Sequence, residues 1–295
     1  MELLKLIEGM RTPFLDVLVG MITRFGEQGV AIVLFCVIFW CLNKRVAYGM
    51  GIAFFLSGLT VQGMKICFRI ERPWVIDPTF NPVPGALEYA TGYSFPSGHT
   101  QTAAAVFGSL GVYIRQAPIK VACFLIVFLV AYSRLYLGVH TLPDVAVSIL
   151  ITFLLILLAV KIAVDPVNKK REGLTALAMV LYAAIWMVVG SVMFSRGIIE
   201  QTYLSDCLKA AGATIGYAIG MYIERIYISF SIRSKNILIN IIKCIVGFIG
   251  VLLIMQGLKL IIGTGLVVDT IRYFFLLMWI TAIYPMIIKR LFAKS

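Results

Sequence analysis

Residues 144–163 read DVAVSILITFLLILLAVKIA, a stretch whose only charges are Asp144 at its start and Lys161 near its end. Its length matches the ~20 residues a helix needs to cross the hydrocarbon core of a bilayer. Runs of the same kind recur at 29–43, 47–66, 99–114, 120–138, 174–194, 206–224, 237–257 and 269–288. Counting these with 144–163 predicts nine spans. Barrel strands are about ten residues long and alternate in polarity, so the pattern predicts an all-α, polytopic transmembrane helical bundle. The composition agrees. Hydrophobic residues make up 61% of the chain and charged residues 14%, whereas a soluble domain carries about 25% charged residues. Mean hydropathy is +0.97.

The formal charge of +12 would point to nucleic acid in a soluble protein. In a membrane protein the same excess follows from the Lys and Arg of cytoplasmic connectors, so no nucleic-acid partner is expected. The connectors that follow alternate spans hold Lys44 and Arg45, Arg115 and Lys120, Lys161 with Lys169 to Arg171, Arg225 with Arg233 and Lys235, and finally Lys289, Arg290 and Lys294. Together they hold 14 of the 26 basic residues. This face is therefore expected to be cytoplasmic. The opposite face carries the N-terminus, the 67–98 loop, the 139–143 turn and the 195–205 and 258–268 loops. It is expected to be periplasmic, extracellular or lumenal.

In residues 1–28, Leu3, Leu4, Ile7, Met10, Phe14, Leu18, Met21, Ile22 and Phe25 recur three or four apart, which predicts an amphipathic helix, or two, lying in the membrane interface. Thr12 and Pro13 suit a cap and first helical position. The stretch lacks the basic start and continuous apolar run of a cleaved leader, so it is expected to stay in the mature protein. The six cysteines form no C-x-x-C pair and read as small buried hydrophobes. The chain is expected to divide into this interfacial segment (1–28), a six-span core (29–195) and an additional three-span C-terminal region (196–295).

The chemistry lies between Lys65 and Asp144. Both histidines of the chain, His99 and His140, fall there. Lys65, Arg69, Arg72 and Arg134 lie near one membrane face, where cations are costly unless they meet a cavity or an anion. Glu71 can neutralise one of them. Arg binds phosphate oxygens in pairs and Lys supplies a point charge, which makes a phosphoryl group the natural ligand. Snorkelling of Lys65 and Arg72 at a helix end is the plainer alternative. Ser97 precedes a predicted span where a cap belongs, so the N–H groups after it and the open Gly98 backbone face outward to an anion. His140 and Asp144 are four apart, and the carboxylate can hold the imidazole in one tautomer and raise its basicity. Asp144 also suits a helix start through the dipole alone. Two histidines without a Cys pair or carboxylate cluster do not make a metal shell, and neither a metal nor another cofactor is expected.

Lys65-x6-Arg72-Pro73, Pro96-Ser97-Gly98-His99 and Ser133-Arg134-x5-His140-x3-Asp144 together resemble the three motifs of the type 2 phosphatidic acid phosphatase (PAP2) superfamily, without departure at any motif position. The motifs cover residues 65–144, and the first six spans look like the membrane core of that family. The resemblance implies a metal-independent membrane phosphatase acting by double displacement. His140 would take the phosphoryl group as a phosphohistidine, with Asp144 holding it, and His99 would protonate the leaving oxygen. Lys65, Arg72, Ser97, Gly98 and Arg134 would hold the phosphate. The expected substrate is a lipid phosphate or lipid diphosphate taken from the bilayer. A soluble sugar phosphate, or transfer of the phosphoryl group to an alcohol, would use the same residues. A span count of nine looks more like the glucose-6-phosphatase and sphingosine-phosphate phosphatase branches. A membrane protein that only binds an anion or lipid needs the cations but not the His140–Asp144 pair. Glu224, Arg225 and Arg272 are expected to pair with one another, to assemble a dimer or to line a second cavity. Self-association into a homo-oligomer is left open.

Overall fold

A computed structural model of the chain describes residues 1–87, 90–164, 167–232 and 236–291, with Val164 in backbone only. Asp165, Pro166, Arg233, Lys235 and Lys294 of the basic connectors lie outside the described residues. Every regular element among the described residues is helical: α1 (Glu2–Glu8), α2 (Pro13–Thr23), α3 (Gln28–Val37), α4 (Lys44–Phe68), α5 (Pro73–Ile76), α6 (Gly98–Ala103), α7 (Ser109–Tyr113), α8 (Ala117–Tyr136), α9 (Leu142–Val164), α10 (Lys169–Ser195), α11 (Gln201–Ile223), α12 (Ile237–Leu252), α13 (Leu258–Ile262), α14 (Leu266–Met278) and α15 (Tyr284–Leu291). Single wide π turns carry α3 on to Leu42, join α6 to α7, extend α11 to Ile228 and join α12 to α13 and α14 to α15.

Helices run through all nine predicted intervals, but nine spans are not found. Among the described residues six helices are long and apolar enough to cross a membrane, and Pro13–Gly26 with Gln28–Leu42 makes a seventh only if that pair, bent by 50°, is one span. The difference has a physical cause. The helix from Gly98 to Tyr113 is only about four turns long by the helical repeat. α11 carries Asp206 and Lys209 and is built of Gly and Ala more than of Leu and Ile. It does not need lipid-facing aliphatics because protein surrounds it. Gly212, Gly216 and Gly220 recur every fourth residue, and a Cβ on Gly212 or Gly216 would stand 2.4 Å from the carbonyl oxygens of Thr270 and Phe274 on α14. Such close backbone approach is how small residues pack membrane helices.

The amphipathic N-terminus forms the two helices anticipated. Thr12 caps α2 by accepting from Leu15 N, with Pro13 in the first turn. α1 is tied to the loop after α4, where Lys5 pairs with Asp77 at 2.7 Å and Asn81 N donates to Glu8 at 3.1 Å. The turn before α2 and α2 itself are tied to the end of α8, where Arg11 Nε donates to Tyr136 O at 2.9 Å and Tyr136 Oη donates to Asp16 at 2.8 Å.

Glu224, Arg225 and Arg272 are paired, though not with one another. Lys44 bonds Glu224 at 2.5 Å, Arg225 meets Glu172 at 2.9 Å, and Arg272 meets Asp269 at 2.8 Å. The first two pairs join α11 to α4 and α10, across the expected boundary between core and C-terminal region. Cys36, Cys123 and Cys207 are buried, whereas Cys67 is exposed and Cys41 and Cys244 are half-buried; all six are free thiols.

Candidate active site

Helix geometry brings the three motifs to one end of the bundle. Lys65 sits in the last turn of α4, Arg134 in the last turn of α8, Ser97 caps α6, His140 lies in the turn between α8 and α9, and Asp144 is in the first turn of α9. α9 begins at Leu142, so His140 is in the turn before it. Lys65, Arg72, Gly98, His99, Arg134 and His140 line one cavity of about 610 Å³. Arg69, the fourth cation of the sequence reading, is exposed on the left-handed cap of α4. Only three cations therefore converge on the cavity among the four expected. Glu71 is exposed as well.

Arg72 is the hub. It is 5% exposed, and its guanidinium donates to three carbonyls: Nε to Gly92 O at 2.8 Å, Nη1 to Val139 O at 2.7 Å and Nη2 to Thr91 O at 2.8 Å. Nη1 also lies 3.0 Å from His140 Nε2. A guanidinium can only donate. His140 Nε2 must therefore present its lone pair there, which places the ring proton on Nδ1.

Nδ1 faces Asp144 Oδ2 at 3.4 Å. That separation is long and poorly aligned for a hydrogen bond, and Nδ1 is unsatisfied in this arrangement. Catalytic hydrogen bonds often close up only around substrate. The same Oδ2 is held by Ser94 Oγ at 2.5 Å and by Thr141 N at 2.7 Å. Burial, and after it the charges of Arg72, Arg134 and Lys65, push the His140 imidazole well below its ordinary pKa. It is therefore neutral at pH 7, as a nucleophile or base must be.

Lys65 and Arg134 line the cavity, and Ser97 lies fully buried behind Gly98 and His99, which also line it. Lys65 Nζ donates to Tyr93 O at 2.8 Å, leaving further ammonium protons for a ligand. Arg134 Nη1 donates to Thr23 Oγ1 at 2.7 Å, and its buried Nε has no partner. Ser97 Oγ accepts from Thr100 Oγ1 at 3.0 Å and caps Thr100 N at 3.4 Å, so its own hydroxyl proton is free to turn outward. Gly98 adds open space, since a Cβ there would meet nothing within 4 Å. His99 is half-buried beside it. Ser133 bonds Val130 O at 2.6 Å, within its own helix. These cations and hydroxyls can hold the oxygens of a phosphoryl group while His140 Nε2 approaches phosphorus.

The sequence did not single out the supports of this arrangement. Ser94, Thr23, Thr141 N and the Thr91–Tyr93 carbonyls act through backbone or through a plain hydroxyl, and they carry no spacing signature. The C-terminal region also reaches the site: Tyr203, Asp206 and Lys209 of α11 line the same cavity, and Tyr203 stacks on Tyr93 at 4.2 Å.

Comparison with known proteins agrees with the motifs. Residues 45–168 match the family model described as PAP2 superfamily, and residues 208–295 match a second, described as PAP2 superfamily phosphatase, transmembrane extension. The chain is 28% identical over 153 residues to phosphatidylglycerophosphatase B of Bacillus subtilis (strain 168), an alignment covering 46% of this chain and 68% of that protein. Among solved structures, LpxE of Aquifex aeolicus aligns with 29% identity and a TM-score of 0.48, covering 54% of this chain and 93% of the other.

Proposed function

The chain belongs to the PAP2 superfamily, and from that membership and the site geometry we propose that it is a membrane phosphatase of lipid phosphates or lipid diphosphates, acting through a phosphohistidine on His140. It is an integral membrane protein and a phosphoric monoester hydrolase by family. The observation that carries the mechanism is the position of His140. Its Nε2 lone pair is fixed by Arg72 at 3.0 Å and its Nδ1 edge faces Asp144.

In the first step Arg72 Nη1 turns its proton from His140 Nε2 to an oxygen of the substrate phosphate. The freed Nε2 lone pair forms a bond to phosphorus as the ester P–O bond breaks, and His99 gives its proton to the departing oxygen. His99 must be protonated for this; burial, and after it the charges of Arg134, Lys65 and Arg72, lower its pKa to about 3, and the dianionic phosphate entering beside it raises it again toward the imidazolium. Lys65, Arg72 and Arg134, with Ser97 and the Gly98 backbone, stabilise the equatorial oxygens, where transition-state charge concentrates. In the second step water gives a proton to His99 and attacks phosphorus, the P–N bond breaks, and phosphate leaves. Asp144 offsets the positive charge that His140 acquires between the two steps.

Two features support the wider assignment. The Bacillus subtilis relative is a phosphatidylglycerophosphatase, and the cavity lies within a bundle that a bilayer surrounds. Among the described residues, Lys44 and Arg45, Arg115 and Lys120, and Lys161 stand at the ends of α4, α8 and α9 opposite those that carry Lys65, Arg134 and Asp144, which supports an active site on the non-cytoplasmic face. Residues 29–195 then form the catalytic core, 196–295 its extension, and 1–28 an interfacial segment.

The test is acid-stable-versus-labile trapping of the phosphoenzyme after rapid quench with a labelled lipid phosphate. The expected result is an acid-labile label in the unsubstituted protein and in His99→Ala, and none in His140→Ala. Label retained in His140→Ala overturns the assignment of the nucleophile. Phosphate release from phosphatidic acid and an isoprenyl diphosphate but not from glucose 6-phosphate, with chelator present, is expected; the reverse preference overturns the lipid substrate.

A further inference from the structure

The cavity that holds His99 and His140 does not end at the phosphate site. It follows α4 inward from Lys65 through Gln62 and Leu59 to Phe54 and Met50, fifteen residues and so about 22 Å at the helical rise. Along that path its chemistry changes by stages. Cations stand at the outer end, Gln62, Asp206 and Lys209 follow, and the inner part is mostly aliphatic and aromatic, with Gln101 and Thr102 as its polar members and Gln101 Nε2 already spent on Phe54 O at 3.2 Å. This order of charge, polar linkage and hydrocarbon is that of an amphiphile entering phosphate last.

The inner part lies between α3, which contributes Ala31 to Phe35, and α14 with the turn after it, which contributes Tyr273 to Ile280. The two sides are tied beside Ile280, which lines the cavity. There Trp40 Nε1 donates to Ile280 O at 3.0 Å and the Trp40 ring packs edge-on to Tyr284 at 4.8 Å. α11 faces the space with Ala210 and Ala213, whose short side chains leave it open. Close-packed interiors do not keep apolar voids of this size, and apolar cavities exclude water but accept apolar ligands.

Resting on the lipid-phosphatase reading, we propose that this inner cavity is a slot for one hydrocarbon chain of the substrate, and that the C-terminal extension exists to wall it. At ~30 Å³ per water-sized unit the whole cavity takes about 20 such units, comparable to the methylenes of a single chain. A second chain stays in the bilayer. The extension thus measures chain length, while the motif residues perform phosphoryl transfer.

The experiment compares kcat/KM across straight-chain monoalkyl phosphates from butyl to hexadecyl, at fixed surface concentration in mixed micelles, for the full chain and two variants. Ala213→Phe fills the slot, and the ratio of hexadecyl to butyl kcat/KM is expected to fall at least ~10-fold, the discrimination a misfitted apolar pocket supplies. Ile280→Ala enlarges the cavity where that side chain lines it and is expected to move the preferred length upward. An unchanged length profile in Ile280→Ala, or an equal loss for butyl and hexadecyl phosphates in Ala213→Phe, overturns the slot while leaving the phosphatase intact. Hydrolysis of no alkyl phosphate by the unsubstituted protein overturns the phosphatase reading and the slot with it.

Discussion

Asp144→Asn separates the charge of the carboxylate from its shape. Asp144 Oδ2 accepts from Ser94 Oγ at 2.5 Å and from Thr141 N at 2.7 Å, and it faces His140 Nδ1 at 3.4 Å. An Asn in this place turns its carbonyl oxygen to the same point, because that oxygen satisfies both donors and the amide nitrogen would leave them unpaired. The fold and the His140 tautomer are then retained, and only the negative charge is lost. On the proposed mechanism that charge matters when Nε2 bonds to phosphorus and the ring becomes cationic. Unit charges ~4 Å apart at an effective dielectric of ~20 interact by about 4 kcal/mol, which at ~1.4 kcal/mol per decade is roughly a thousandfold in rate. The expected outcome is therefore a protein that purifies with an unaltered melting midpoint, forms the phosphoenzyme about three decades more slowly, and gains little from higher substrate concentration. Rapid-quench single turnovers with a labelled lipid phosphate measure that rate. A loss below ~10-fold with the fold intact would refute an electrostatic role for Asp144. A protein that no longer folds would refute the hydrogen-bond geometry on which the substitution is designed.

Arg72→Lys removes the donors that hold the Gly92, Thr91 and Val139 carbonyls, and one ammonium cannot replace them; turnover is expected to fall at least ~100-fold, with faster proteolysis of the 90–95 segment. Wild-type turnover with 90–95 cleaved at the same rate as before would contradict the hub role. Burial and the neighbouring cations depress the His140 pKa, so the native state binds fewer protons than the unfolded chain once pH drops below about 6.5, the ordinary histidine value. Stability is then complete above that pH and declines as pH falls toward the native pKa. The melting midpoint of His140→Asn is expected to be less acid-sensitive over the same range, and parallel curves would sink the linkage. Gly216→Ala places a Cβ 2.4 Å from Phe274 O, where backbone has to move; the expected cost is ~1–3 kcal/mol, read as a lower unfolding midpoint in detergent, and an unchanged midpoint would show that α11 and α14 are less tightly apposed than they stand.

How much of this could be read from the chain differs between its parts for physical reasons. Helices in lipid satisfy their backbones internally, so nine helical intervals were legible from apolar runs alone. Whether each crosses the bilayer depends on what surrounds it, and here α11 escapes the rule: enclosed by α4, α10 and α14, it replaces bulk with Gly and Ala and keeps Asp206 and Lys209 because they face a cavity. A lipid-facing helix such as α9 announces itself by Leu150, Leu154, Leu157 and Leu158, all exposed. The same asymmetry governs the site. Side chains that face a ligand cavity, or orient one that does, need particular types at fixed spacings, and Arg72 and His140, which line the cavity, and Asp144, which faces His140, stand at such spacings. Groups that hold those side chains need only an oxygen or an N–H at the right place, which any residue's backbone supplies. Val139 O, Thr91 O and Thr141 N therefore leave no trace in composition. Arg69 shows the converse error, for it has the type and the neighbourhood of a phosphate ligand but falls on the left-handed cap of α4, where φ of 49° turns it away from the cavity and into the open. A motif thus records what meets the ligand. The positive φ that ends a helix decides which neighbouring cation is excluded from it.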